Sequence, residues 1–193
     1  MAGGKLTPRQ KMINLMYLVF IAMLALNMSK EVLSAFGLMN EQFESSNIEA
    51  TKTNTALYDA LKAKAAENQS FAAAKELSDK VKGISDKFYA YIETLKGDIT
   101  KDIEREENGK LPYEAMDKGD KIDEFWFEGD GYSPRGKEIV AAIEKYKTDM
   151  KAAVGKDVKY QAIGRELDNK FNTADVVDGE GVKKKYLDYH YKG

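Results

Sequence analysis

Residues 12–29 (MINLMYLVFIAMLALNMS) carry no Asp, Glu, Lys or Arg, and Lys11 and Lys30 close the run on either side. A helix of about 18 residues rises about 27 Å, close to a bilayer hydrocarbon core of about 30 Å, so the pattern predicts a membrane span. Thr7 followed by Pro8 reads as a helix start, with Thr7 as N-cap and Pro8 at the first helical position, where its missing N–H costs nothing. The helix then begins before the span, and Arg9 falls at the cytoplasmic boundary. Past the span, Val32, Leu33, Phe36, Met39 and Phe43 recur at helical steps, which predicts an amphipathic continuation rather than a flexible stalk.

Residues 48–68 are more polar. Leu57 and Leu61 are their clearest apolar pair, and a break is expected near Ser45-Ser46-Asn47. The strongest soluble helix signal covers 71–107, where Leu77, Val81, Ile84, Phe88, Tyr91, Leu95 and Ile99 form one stripe, with kinks allowed at Gly83 and Gly97. Asn108-Gly109 and Pro112 end it. Residues 111–132 are irregular. Ser133-Pro134 opens another helix with Ile139, Ile143, Tyr146 and Met150 on its apolar face, closed by Gly155. A short helix over 157–169 follows, then a loop over 175–181, and an end segment from Lys183 with no closing element. Short connections between such helices predict an all-α fold, one N-terminal transmembrane helix continuing into an up-and-down bundle. The division expected is 1–11 cytoplasmic, 12–29 transmembrane, 30–182 a helical-bundle domain, and 183–193 a linker toward further domains beyond Gly193.

Composition sharpens this picture. Three prolines in 193 residues favour helix, and the formal net charge of −2 with mixed signs gives no basic field for nucleic acid. With no cysteine, disulfides, thiolate chemistry and thiolate metal sites are excluded. Lys5, Arg9 and Lys11 precede the span without an acid, while Glu31, Glu41 and Glu44 follow it, so the positive-inside rule puts the N-terminus in the cytoplasm. Small residues at 22, 25 and 29 would suit a signal-peptide cleavage site, but the helical pattern runs on without a proline or turn, so we read a retained anchor.

No enzyme active site is visible. The sole histidine, His190, has no cysteine or second histidine to share a zinc ion, and Asp175, Asp178 and Glu180 do not match a calcium-loop spacing. The serines lack both an elbow context and a histidine base. Phe125, Trp126 and Phe127 are either core filling under a loop or a candidate partner surface.

The span itself is two-faced. At about 100° per residue Arg9, Met16, Phe20 and Asn27 share one stripe, and Ala22, Ala25 and Ser29 a nearly opposite one suited to close helix packing. Asn14, Asn27 and Tyr17 are more polar groups than an inert anchor requires. Arg9 is either a headgroup contact and topology signal or a cation drawn into a multi-helix assembly to meet a carboxylate. As the span holds no Asp or Glu, any protonatable acid there must come from a partner.

The run GGKLTPRQKMINLMYLVFIAMLALNMSKEVLSAFGLMNEQF, residues 3–43, closely resembles the N-terminus of the GldM family, also called PorM, through Pro8-Arg9-Gln10-Lys11 and Asn27-Met28-Ser29-Lys30-Glu31-Val32. Beyond Phe43 the resemblance lies in helical character. It implies a subunit of the inner-membrane motor of the Bacteroidetes type IX secretion system, which also powers gliding. It further implies a homodimer whose spans sit inside a ring of GldL-type subunits, a first helical periplasmic domain followed by β-rich domains reaching toward outer-membrane components, of which this chain would cover the span and first domain only, and no cofactor, since proton flow supplies the drive. Arg9 would face an acid of the ring, with Tyr17 a polar neighbour. Two readings follow: a proton-driven motor subunit, or a passive membrane-anchored periplasmic scaffold.

Overall fold

The computed structural model describes residues 7–116, 120–155 and 157–192, with the side chains at 26–29, 115 and 120 outside that description. The chain forms two compact units, Met1–Ile48 with Glu104–Lys118, and Glu49–Ile103 with Gly119–Gly193. Helix dominates throughout, and the fold is all-α.

The first unit holds most of helix α1, Pro8–Glu67. Its start is a reciprocal cap: the Gln10 N–H donates to Thr7 Oγ1 at 3.3 Å while the Thr7 N–H donates to Gln10 Oε1 at 3.1 Å. Two of the free N–H groups of the first turn are satisfied this way. The break expected at Ser45-Ser46-Asn47 does not occur, for α1 is continuous there. All three side chains face solvent beside the good helix formers Glu44, Glu49 and Ala50. Their propensity deficit, about 0.5 kcal/mol each, is too small to stop a helix already nucleated.

In the second unit the end of α1 passes into Asn68, whose Oδ1 accepts from the Ser70 N–H at 2.9 Å. A 3₁₀ turn, Gln69–Phe71, leads into α2, Ala72–Thr100. Helix α2 runs through Gly83 and Gly97 but stops short of the expected 107. Asp102, Glu104, Glu106 and Glu107 crowd the carboxyl end, where negative charge opposes the helix dipole.

Residues 111–116 and 120–132 hold more regular structure than their pattern suggests. They contain a 3₁₀ turn at Tyr113–Ala115, α3 at Asp120–Trp126, and a small hairpin of β1, Phe127–Glu128, and β2, Gly131–Tyr132, with Phe127 opposite Tyr132. Helix α4, Pro134–Val154, starts and stops as expected: the Gly136 N–H donates to Ser133 Oγ at 3.1 Å, and Gly155 at φ 68° ends it. Gly136 allows a close approach, because a Cβ there would lie 2.2 Å from the Trp126 carbonyl oxygen. Asp157 caps a 3₁₀ turn that feeds α5, Gln161–Lys170. A second hairpin of β3, Val176–Val177, and β4, Lys183–Lys184, replaces the expected loop. Asp178 Oδ1 shapes it by accepting from the Glu180 and Val182 N–H groups.

The end segment corrects another expectation. Residues 186–191 form helix α6, and Leu187, at 0% exposure, is the most deeply buried side chain described. It joins Leu95, Trp126, Phe127 and Ile139 in the core. The Leu187 N–H donates to the Tyr132 hydroxyl at 2.8 Å. The segment read as a linker is thus the closing element of the bundle. Helices α2 and α4 pack against each other through stacking of Phe88 on Tyr146, 4.4 Å between ring centroids, and an Arg135–Asp98 ion pair.

Candidate functional site

The apolar residues of α1 before the bundle are exposed rather than packed. An 18-residue window of the helix has mean hydropathy 1.8, apolar enough to cross a membrane, and none of that window is buried. Arg9 and Asn14 are exposed, as are Tyr17, Ala22 and Ala25. The Asn27 and Ser29 side chains lie outside the described residues.

Continuity of α1 makes the angular bookkeeping simple. At about 100° per residue, Arg9 and Phe20 stay on one face, about 180° from the face of Ala22 and Ala25. Tyr17 falls about 80° from the Arg9 face. Asn14 lies about 20° from Ala25, so it does not share a surface with Arg9. Among the described residues Arg9 has no carboxylate partner.

The same continuity joins two patterns that are separate in sequence. Leu15, Leu18, Ala22, Ala25, Ser29, Val32, Phe36, Met39 and Phe43 step by three and four without interruption, the period of a coiled-coil seam. Phe36 is 62% exposed and Phe43 60%. The seam crosses from the membrane segment into the soluble part of α1 on one face.

The opposite side of α1 is covered by its own chain. Within residues 30–48 only Leu33, Ser34, Gly37 and Glu41 are withdrawn from solvent. Residues 104–116 lie there. Their turn is fixed by the Lys110 N–H donating to Asn108 Oδ1 at 2.8 Å and by Gly109 at φ 80°. The Tyr113 ring sits where a Cβ of residue 37 would be, 2.2 Å from its Cδ2. Asn40 Nδ2 donates to the Tyr113 hydroxyl at 3.3 Å, and Lys110 Nζ pairs with Glu41 Oε2 at 2.8 Å. Glycine inside a helix costs about 1 kcal/mol relative to alanine, and here the cost is offset by the room it makes for a ring. Sequence reasoning missed this contact. Its only signal was a glycine in the otherwise strong helical run AFGLMNEQF.

Within the second unit, residues 51–61 of α1 and 78–89 of α2 line an open groove of about 660 Å³. Tyr58 donates to Asp79 Oδ1 at 2.6 Å across it, and Lys75 Nζ pairs with Asp79 Oδ2 at 2.6 Å. The Lys75 contact, then the Tyr58 hydroxyl, hold the Asp79 carboxyl below its ordinary range. Glu144 is lowered by Lys147 and by the Thr173 hydroxyl.

The aromatic run is resolved by burial. Trp126 and Phe127 are each 8% exposed and belong to the core, and Phe125 packs against them. Trp126 and Phe127 fill the core and Phe125 is half-buried beside them, so of the two alternatives burial favours core filling. His190 lies among the rings of Tyr186, Tyr189 and Tyr191. Among the described residues no group of His, Asp and Glu is placed to hold a metal ion.

A continuous helix, apolar and exposed over a membrane's thickness, leads into a helical bundle. That defines the class as an all-α protein with one helix long and apolar enough to cross a membrane. A family model described as the GldM N-terminal domain matches residues 31–193, and the chain belongs to the GldM family. The match reaches the last residue, in keeping with the place of α6 in the core. Membership links the chain to the gliding and type IX secretion machinery, whose GldM components are membrane-anchored and structural or motor in kind rather than known enzymes. A comparison with curated proteins finds no match.

Proposed function

We propose that the chain is a subunit of a proton-motive-force-driven inner-membrane motor that carries mechanical energy through the periplasm to power type IX secretion and gliding. The observation that carries this reading is α1: a single helix runs from Pro8 to Glu67, from the apolar segment into the residues of the bundle unit. Its N-terminus is cytoplasmic and its bulk periplasmic, by the charge asymmetry around the span.

The two faces of α1 support a reading with two partners. The seam from Leu15 to Phe43 pairs with a second copy, because apolar residues at a strict three-and-four step bury best against an identical helix. In the membrane part, Ala22 and Ala25 let the two backbones approach. The Arg9 face, with Tyr17 beside it, meets GldL-type ring subunits that contribute the intramembrane acid. Arg9 lowers that acid's pKa and favours its charged form until a proton arrives, so proton passage makes and breaks the contact around the ring. Proton flow takes the place of a cofactor. Further periplasmic and outer-membrane components receive the motion.

Arg9→Ala tests this directly. With the complex still assembled, secretion and gliding are expected to be lost. Normal transport in that variant would instead leave Arg9 a topology signal and favour the passive scaffold.

A further inference from the structure

The segment between α2 and α3 is more than a connection. It leaves α2 after Thr100, seats on α1 at three points, and re-enters the bundle at α3. Those points are Gly37, Asn40 and Glu41, spaced i, i+3 and i+4, so they form one patch on the helix face. The patch begins seven residues past Lys30, where the membrane span ends. It lies about 130° around the helix from Val32, Phe36, Met39 and Phe43, which stay exposed.

Each contact constrains something different. The Tyr113 ring fills the notch at Gly37 and can do so at no other residue of this part of α1, since every neighbour carries a Cβ. The hydroxyl contact with Asn40 and the Lys110–Glu41 pair flank the notch on either side and resist rotation of α1 about its own axis. A ring lodged in one notch, with a polar contact on each flank, sets a rotational position and leaves the opposite face open.

We infer that Tyr113 is a positioning residue: seated on Gly37, it fixes the rotational setting of the membrane-proximal part of α1, so that rotation of the span is handed to residues 104–116 as well as along α1. The inference rests on the motor reading above and adds a second path for its motion. The surface is intramolecular, and its partner is the chain itself.

The test uses the full chain in its native membrane, with two readouts. Trypsin cleavage at Arg105 and Lys110 reports whether the segment is seated, and secretion with gliding reports transmission. Tyr113→Ala is expected to raise cleavage at these sites about tenfold, since cleavage follows the population of the open form. Transport should fall at unchanged chain level and complex assembly. Gly37→Ala should act the same way, while Tyr113→Phe keeps the ring and stays near wild type in both readouts. Lys110→Glu, which removes the tryptic site at that position and is read by cleavage at Arg105 alone, should weaken seating, and adding Glu41→Lys should restore it. Unchanged cleavage in Tyr113→Ala overturns the inference, and so does raised cleavage with normal transport. If Arg9→Ala transports normally while Tyr113→Ala does not, the proton-coupling reading fails and the positioning role stands.

Discussion

Leu187 and Phe36 are both large apolar side chains on helices, yet one is fully buried and the other 62% exposed. The bundle unit turns part of its apolar residues inward and leaves others, Leu57, Tyr89 and Val158 among them, exposed. Leu95, Trp126, Phe127, Ile139 and Leu187 close a core with no outside help. The membrane-proximal unit turns its Leu, Met and Phe outward along α1, with only the 104–116 segment laid against one side. The difference shows that hydrophobic periodicity has two meanings in one chain: in α2 and α4 it marks a core, and in α1 it marks a surface that this fold leaves uncovered.

The largest expected effect falls in the bundle. Leu187→Ala should cost about 2–5 kcal/mol in denaturant unfolding of the detergent-solubilised chain, followed by Trp126 fluorescence. Phe36→Ala should change the same measurement by less than about 0.5 kcal/mol when it is made on the monomeric chain, because Phe36 packs into no core of the single chain. Equal losses at the two sites would break the comparison.

Gly136→Ala comes next. Its new Cβ meets the Trp126 carbonyl oxygen, and overpacking of this kind costs about 1–3 kcal/mol. Ser133→Ala removes both the cap on α4 and a 2.6 Å hydrogen bond that its hydroxyl donates to the Phe125 carbonyl, a loss of about 1 kcal/mol or somewhat more.

The smallest effect is pH dependence confined to the bundle. Asp79 and Glu144 have folded pKa values below their ordinary ones, so the unfolded chain binds protons first as the solution is acidified. Their stabilisation is complete above the ordinary carboxylate value of about 4 and disappears as pH falls through the lower folded values. Melting temperature should therefore decline below about pH 4, and Asp79→Asn should make that decline shallower. An unchanged acid limb in Asp79→Asn would mean that the Lys75 and Tyr58 contacts do not persist in solution.

Much of the helical content was legible from periodicity and caps. The Thr7-Pro8 and Ser133-Pro134 starts, the Gly155 stop and the α2 stripe all follow from local rules. What escaped depended on contacts distant in sequence. Helix α6 has too few residues to show a period, and it is held by Leu187 entering a core assembled from α2, α3 and α4. The two hairpins have strands of two residues each, below the length at which alternation can be read. The Gly37–Tyr113 contact spans 76 positions, and no local pattern points from one to the other. The seam was only half legible, since its membrane and soluble parts join only if α1 is unbroken.

The central claim is that the outward-facing residues of α1 are specific surfaces rather than lipid filler. Replacing residues 12–29 by a leucine-rich span of equal length, with Arg9 and the bundle retained, tests it most directly when membrane insertion, complex assembly and transport are measured separately. The account predicts an inserted chain with a folded bundle and transport lost. Full secretion and gliding from the replaced span would contradict it.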